Sequence, residues 1–552
     1  MLSRRSFLSR TGLAAASAGA LGAPHIARSA DVLLTQAGQK PKRIIHLVSD
    51  GMSLGTLTCS DQFALLNRNR GLAWMQLFRD PAAHHGLMNT RSLNSLVTDS
   101  AAASSAWGSG SHVTNGALNF LPDGRLLTPL YALFAQAGWA RGLVTTAEIT
   151  HATPAGFACA TKSRSSSDII ASQYFEGKID VLLGGGRPYF DPAKRRDKRD
   201  LRADFAAAGY CVVQDLAGLE NAPVDTRLLG TFAEGHLPYS IDQMASAKLR
   251  ASTPTIAQMT TAALNRLQRH DNFILQIEGA RIDHAAHNSD AAAAIRDQLA
   301  LDEALEACLA FQRRNPDTLL VVTTDHGNSN LGLNGMGPSY QQSSQRFAAL
   351  GQIKASHPEI LLQLEKVGVK TKAPVVPGDP EDTLKEGAPM PEPAAAMSEP
   401  GATPLKLTAA VELTTALQLE PKAIIDIIAD VTGYKMSTRR AALFSTVLAG
   451  NYQALYDQMN SPVSQLGQLM ANRLGIGWTG NTHTSDYVPL IAIGPGAERF
   501  TGFLENTDIF THYTALAGID FKNPSVPLLA HDAQAHDVEG IAAYTRAAEQ
   551  SS

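Results

Sequence analysis

Short apolar runs that alternate with helix-patterned stretches constrain this chain more than any other feature of it. Ile44–Val48, Gly142–Thr145, Val181–Leu183, Phe273–Ile277 and Leu319–Val322 are too short for buried helices and read as strands. Between the third and fourth, Pro254-Thr255-Ile256 opens a helical stretch that runs to about Arg269, with proline in its first turn. From about Ser289 to Arg313, Ile295, Leu299, Leu305 and Leu309 recur at helical spacing. Such alternation predicts an α/β fold: a mostly parallel central sheet covered by helices on both faces. Past His326 the pattern changes. Residues 373–404 hold eight prolines among acidic residues and call for no regular structure. Leu407–Leu417, Pro421–Val431 and Thr438–Met459 read as helices, and the strand pattern returns at Tyr487–Ile493 before Gly494-Pro495-Gly496. We therefore expect a helical insertion at about 335–475 in one α/β domain spanning 31–552.

The strand ends carry the chemistry. Asp50 follows Ile44–Ser49, Glu278 follows Ile274–Ile277 with Asp283 and His287 soon after, and Asp325-His326 follows Leu319–Thr324. Ligands of an open α/β sheet collect beyond the carboxyl ends of its strands. Three such ends delivering carboxylate and imidazole predict one polar, metal-binding crevice, and mixed oxygen and nitrogen donors suit zinc. One Asp after a strand is commonly a helix cap; the convergence of several makes the argument. Ser100, in Thr98-Asp99-Ser100-Ala101-Ala102-Ala103, would begin a helix, where free amides and the dipole favour a phosphate. The same residues also read as a plain N-cap. Gly184-Gly185-Gly186-Arg187 lacks the Gly-Lys-Ser/Thr ending of a nucleotide loop and reads as a tight strand exit.

Bulk properties exclude some classes. A formal charge of -4 over 552 residues leaves no basic footprint for nucleic acid. At the start, Ser3-Arg4-Arg5-Ser6-Phe7-Leu8 precedes a weakly apolar run from Leu13 to Ala23, the pattern of a twin-arginine export signal over residues 1–30. That run is too short to cross a bilayer core about 30 Å thick, and no later stretch reads as a transmembrane helix. Cleavage points are offered by Ala18, Ala23 and Ala30. The expected location is periplasmic or secreted. In an oxidising compartment Cys59, Cys159, Cys211 and Cys308 allow three pairings; Cys308, on an apolar helix face, is expected to be a buried free thiol.

Together these motifs resemble the alkaline phosphatase family. Asp50-Gly51-Met52, Thr98-Asp99-Ser100-Ala101-Ala102, Thr146-Ala147-Glu148 with Ala152-Thr153-Pro154-Ala155, Val181–Gly186, Glu278-Gly279-Ala280-Arg281-Ile282-Asp283 and Thr324-Asp325-His326-Gly327 occur in the family's order, over about 43–330 and again near 475–500. The resemblance implies hydrolysis of phosphate monoesters through a phosphoserine at Ser100, with two zinc ions and one magnesium ion. It implies Asp283, His287 and a later histidine, assigned to His483, as ligands of one zinc. It implies Asp50, Asp325 and His326 for the second zinc, beside Ser100, and Asp50, Thr153 and Glu278 for magnesium. Arg164 stands where the family grips phosphate, oriented by Asp99. His151 and His284 occupy nearby places where other members carry aspartate and lysine, which implies a looser magnesium site here. A homodimer is compatible with this reading. The rivals are a diesterase or sulfatase on the same scaffold and a non-catalytic phosphate-binding protein. Ser100-Ala101-Ala102 lacks the C/S-x-P-x-R context of sulfatases, and Arg164 with a serine nucleophile favours monoesters.

Overall fold

Successive side chains of a strand point to opposite faces, and the first strand, β1 (Arg43–Val48), uses both. Ile44 and Val48 join one buried cluster while Ile45 and Leu47 join another. The computed structural model describes residues 40–335, 340–371 and 416–528. Its centre is a ten-stranded sheet built from β1, β2 (Ala83–Asn89), β3 (Ala140–Glu148), β4 (Val181–Gly185), β5 (Tyr210–Val213), β6 (Arg227–Thr231), β7 (Phe273–Glu278), β8 (Thr318–Thr323), β9 (Val488–Ile493) and β10 (Gly502–Glu505). The order across the sheet is β10-β2-β9-β8-β1-β7-β3-β4-β6-β5. All neighbours run parallel except β9, which is antiparallel to both β2 and β8. The mostly parallel sheet, covered on both faces, is as expected.

The two faces have different coverings. One carries helix α1 (Ser100–Ser109) and α2 (Ala152–Ala158), whose Trp107 and Phe157 pack with Ile44, Val48 and Leu143. The other carries α3 (Ile256–Leu267) and the long α5 (Ala291–Arg314), which follows the short α4 (Arg281–His287). Fully burying each Leu, Ile or Phe in these layers contributes about 1.5–3 kcal/mol. Helix α3 starts two residues later than the proline suggested. Thr255 is the N-cap, and Thr255 and Gln258 close a reciprocal capping box, so Pro254 lies outside the helix.

Among the described residues between Asn334 and Gly475, none adds a strand to the central sheet. They form mainly helices, including α6 (His357–Val367), α7 (Pro421–Thr432), α8 (Thr438–Leu448) and α9 (Pro462–Leu474). Leu350, Ile360, Ile424 and Leu466 merge into the same buried cluster as α3 and α5. Two expectations change. The helix expected over Thr438–Met459 ends at Leu448, followed by a loop and a single turn at Asp457–Met459. Ala416–Gln418, expected to end a helix, is a strand paired with Val369–Thr371; the rest of that stretch and the proline-rich segment lie outside the described residues. All four cysteines are free, and Cys308 is buried.

Candidate metal centre

Parallel register brings the acids together. Val48 pairs with Glu278 on one side and Thr323 on the other, so Asp50, Glu278 and Asp325 leave three adjacent strands at one level. Asp283, on α4 directly after β7, joins them. All four carboxylates are buried, and their ion-pair partners among the described residues are histidines rather than lysine or arginine. Unpaired charges in such surroundings cost several kcal/mol each. Burial and the facing carboxylates of Asp325, Asp283 and Glu278 raise the Asp50 carboxyl well above its usual range, and burial pushes Glu278 up to about 7. Burial alone would also raise Asp283, but His287, His483 and His326 hold it well below the usual carboxylate range. Both oxygens of Asp50, Oε1 of Glu278, Oδ2 of Asp325 and Oγ1 of Thr153 have no hydrogen-bond partner. Buried polar atoms are rarely left this way, and a cluster of acceptor oxygens asks for cations.

The histidines say the same through their tautomers. His287 donates its Nδ1–H to the Asn481 carbonyl at 2.7 Å, His483 to the Thr98 carbonyl at 2.8 Å, and His326 to the Gly327 carbonyl at 3.2 Å. Since a carbonyl oxygen only accepts, each Nδ1 carries the proton and each neutral ring offers an Nε2 lone pair. The Nε2 atoms of His287 and His483 face each other at 3.0 Å. Two acceptors that close need a cation between them, a proton or a metal ion. Oδ2 of Asp283 is 3.3 Å from Nε2 of His287, and Oδ1 is 3.6 Å from Nε2 of His483. Nε2 of His326 lies 3.2 Å from Asp325 and 3.6 Å from Asp50. Three sets of donor atoms, each within 4.8 Å of one another, can hold an ion: Asp283, His326 and His483; Asp50, Asp325 and His326; Asp50, His151 and Glu278. Backbone-oriented imidazoles beside carboxylates fit zinc, and the oxygen-rich set fits a harder cation.

Ser100 opens α1, and Asp99 rather than Ser100 caps it. Asp99 accepts from the Ala102 amide at 2.9 Å, so the serine hydroxyl plays no part in the cap. Ser100 Oγ sits 3.3 Å from Nε2 of His326, at the edge of the carboxylate–imidazole group. The second Asp99 oxygen accepts from Gly116 N (2.9 Å) and from Nη1 of Arg164 (3.0 Å). Nη2 of Arg164 donates to Nε2 of His151 at 3.1 Å, so the guanidinium fork is held from both sides beside the serine. The Nδ1 of His151 then faces Oε1 of Glu278 at 3.9 Å. His284 turns away from the carboxylates, accepting at Nδ1 from Nη1 of Arg281 (2.8 Å). Ser100, Asp99, Arg164, His151 and the carboxylate–imidazole cluster are thus joined by a continuous run of contacts, with His284 packed beside His151.

Three contributors escaped the sequence reading. His236 packs 4.3 Å from the His284 ring, centroid to centroid, and 5.7 Å from His151; burial lowers it to about 3. It lies just past β6, so the strand-end argument that found Asp325 reaches it too. Arg281, inside a quoted motif but given no role, stacks on Tyr239 at 3.7 Å. Asn328 donates to Oδ1 of Asp283 at 2.6 Å, a contact no local pattern announces.

Known proteins share this architecture. The family profile described as "Alkaline phosphatase" matches residues 41–519. Alkaline phosphatase 4 of Bacillus subtilis (strain 168) is 30% identical over 421 residues, covering 75% of this chain and 75% of that protein. A crystal structure of Thermus thermophilus alkaline phosphatase superposes with a TM-score of 0.75 at 32% identity, covering 93% of this chain and 98% of that one. The cold-active enzyme of a Shewanella species superposes with a TM-score of 0.64 at 25% identity, over 86% of this chain and 99% of that one.

Proposed function

Because the chain belongs to the alkaline phosphatase family, and is therefore a metal-dependent phosphoric monoester hydrolase, we propose that it works through a phosphoserine at Ser100, with two zinc ions and one magnesium ion. Asp283, His287 and His483 would hold one zinc; Asp50, Asp325 and His326 the other, next to Ser100; Asp50, Thr153 and Glu278 the magnesium. The observation that carries this reading is the pair of Nε2 lone pairs facing each other at 3.0 Å beside Asp283, in a cluster where Asp50, Glu278 and Asp325 keep buried oxygens without a hydrogen-bond partner. When bound, such ions lower the pKa of a serine hydroxyl and of water and polarise phosphoryl oxygens.

The chain's own groups set the rest of the reaction. Ser100 Oγ forms the new P–O bond in line as the bond to the departing alcohol breaks, giving phosphoserine and free alcohol. Water then forms the next P–O bond, the serine oxygen leaves, and phosphate is released. The N-terminal end of α1 favours the anion on Ser100. Arg164, pinned by Asp99 and His151, presents its planar fork to two phosphate oxygens. His151 would stand behind the magnesium group, with His284 packed beside it at 5.6 Å between ring centroids.

Other parts of the reading rest on sequence. Export by the twin-arginine route to the periplasm or medium depends on residues 1–30, which lie outside the described residues. No described helix is long and apolar enough to cross a membrane. The insertion at about 335–475 is supported by its described residues adding no strand to the central sheet, and a homodimer is the proposed assembly. The test is hydrolysis of an aryl phosphate at alkaline pH by wild type and Ser100→Ala, before and after chelation. Activity restored by zinc and abolished in Ser100→Ala is expected. No monoester turnover with zinc and magnesium supplied would overturn the proposal.

A further inference from the structure

The two zinc groups are built from different parts of the chain. Asp50, Asp325, His326 and Ser100 all follow strands of the central sheet or open α1. The group of Asp283, His287 and His483 instead touches the helical insertion at both of its chain segments. On one side, Asn288-Ser289-Asp290 continues directly from α4 and its His287. The backbone N–H of His357, first residue of α6, donates to Oδ2 of Asp290 at 2.6 Å, and its Nδ1–H donates to the Asn288 carbonyl at 3.1 Å. Ser289 between them has φ +49°, a left-handed conformation that costs a non-glycine residue energy and persists only where its surroundings impose it. Helix α9 lies against it: a Cβ added at Gly467 would overlap the Ser289 side chain and approach its carbonyl oxygen to 2.6 Å.

On the other side, Asn481 gives its carbonyl to Nδ1 of His287 and its Nδ2–H to Oγ of Ser464, one turn before Gly467 on the same helix. Thr482, next to His483, donates to Oε1 of Gln458 at 3.2 Å. One face of α9 therefore grips the segment after His287 and the segment before His483, and α6 clamps the first from behind.

We propose that the insertion, through His357, Ser464 and Gly467, positions the Asp283–His287–His483 group and tunes the zinc affinity of that group alone. This rests on the zinc assignment above. None of the three residues reaches a ligand atom; they act by holding the backbone that aims His287 and His483. Partners behind metal ligands typically change affinity about 10–100-fold when lost.

The experiment measures zinc per chain in the full-length protein across a series of buffered free-zinc concentrations. Wild type is compared with His357→Ala, Gly467→Ala and His357→Asn, which keeps a short N–H donor for the Asn288 carbonyl. The expected result is that wild type holds two zinc ions. In His357→Ala and Gly467→Ala one of them needs about 10–100-fold more free zinc, while the other and the magnesium titrate as in wild type. His357→Asn recovers most of the loss. Unchanged titration of both ions in His357→Ala and Gly467→Ala overturns the inference, as does equal weakening of both, which would mark a general loss of stability. A wild type that holds no zinc removes the metal assignment itself and is seen before any variant is compared.

Discussion

Asp99 shows how much one side chain settles here. One oxygen caps α1, and the other accepts from Gly116 and Arg164, so the helix that carries Ser100 and the guanidinium beside it share an anchor. A lysine at 164 has no planar fork to hold between Asp99 and His151. Arg164→Lys should lower kcat/KM on an aryl phosphate by about 10²-fold, the order seen when one oxyanion donor is removed, with little change in melting temperature. Steady-state kinetics and thermal melts on the same preparation check it. His151→Asp would add a carboxylate beside Asp50 and Glu278, and a harder donor suits magnesium better than imidazole. Half-maximal reactivation of chelated protein should then need less magnesium; an unchanged requirement would end the idea. A third residue, Asp297, lies behind the site on α5, accepting from the backbone N–H and hydroxyl of Ser240. Burial pushes it up to about 7. A carboxyl raised in the folded state contributes stability that is complete below its unfolded value, about 3.9, and lost as pH rises through about 7. Asp297→Asn removes that loss. Its melting temperature relative to wild type should climb between pH 4 and 7, by an amount corresponding to about 1–3 kcal/mol.

At the scale of elements, the closest packing in the site joins α1 to α2. A Cβ at Gly108 would run into the Gly156 carbonyl, and one at Gly156 into Ser104. These glycines let the serine-bearing helix lie on the helix that carries Thr153. Gly108→Ala should cost about 1–3 kcal/mol by overpacking and shift Ser100 relative to the magnesium group, so activity falls more than stability. Paired denaturant melts and turnover measurements would show both. The sequence made the central strands readable because β1, β7 and β8 are apolar runs buried on both faces, interrupted only by His46 in β1 and Gln276 in β7. It concealed β2, whose Ala83-His84-His85-Gly86-Leu87-Met88-Asn89 has no β-branched residue, and the four-residue β5 and β10 at the two edges. Those strands exist because a neighbour supplies their hydrogen bonds, which no local pattern records. The same limit applied to Thr438–Met459, where helical composition continued past the point at which Ala449 and Gly450 end the helix.

For the whole molecule, the site was more legible than its supports. Acids and histidines at strand ends were visible because the α/β architecture sends every parallel strand's carboxyl end to one side. Asn328, Asn481 and His357 were not, since each acts on a residue far away in sequence through a contact made only after folding. Four buried carboxylates whose ion-pair partners among the described residues are only histidines also make the fold depend on bound cations. Any ligand that binds only the folded chain stabilises it by about 4 kcal/mol at 1,000 times its Kd. Chelation should therefore lower the melting temperature by several degrees, and readdition of zinc and magnesium should restore it in calorimetry. An unchanged melt after verified metal removal would mean that the histidines and protons satisfy the acids unaided.

The strand order has a further consequence, in time rather than space. His483 pairs with His287 across 196 residues of chain, and β9, which follows it, slots between β2 and β8. At about 5–20 residues per second, a ribosome needs about 10–40 s after making His287 to supply its partner. During that interval the sheet has a gap between β2 and β8, and Asp283 and His287 lack the imidazole of His483. A nascent chain can hold the insertion ready, but Asp283 and His287 meet His483 only after the whole insertion has been made.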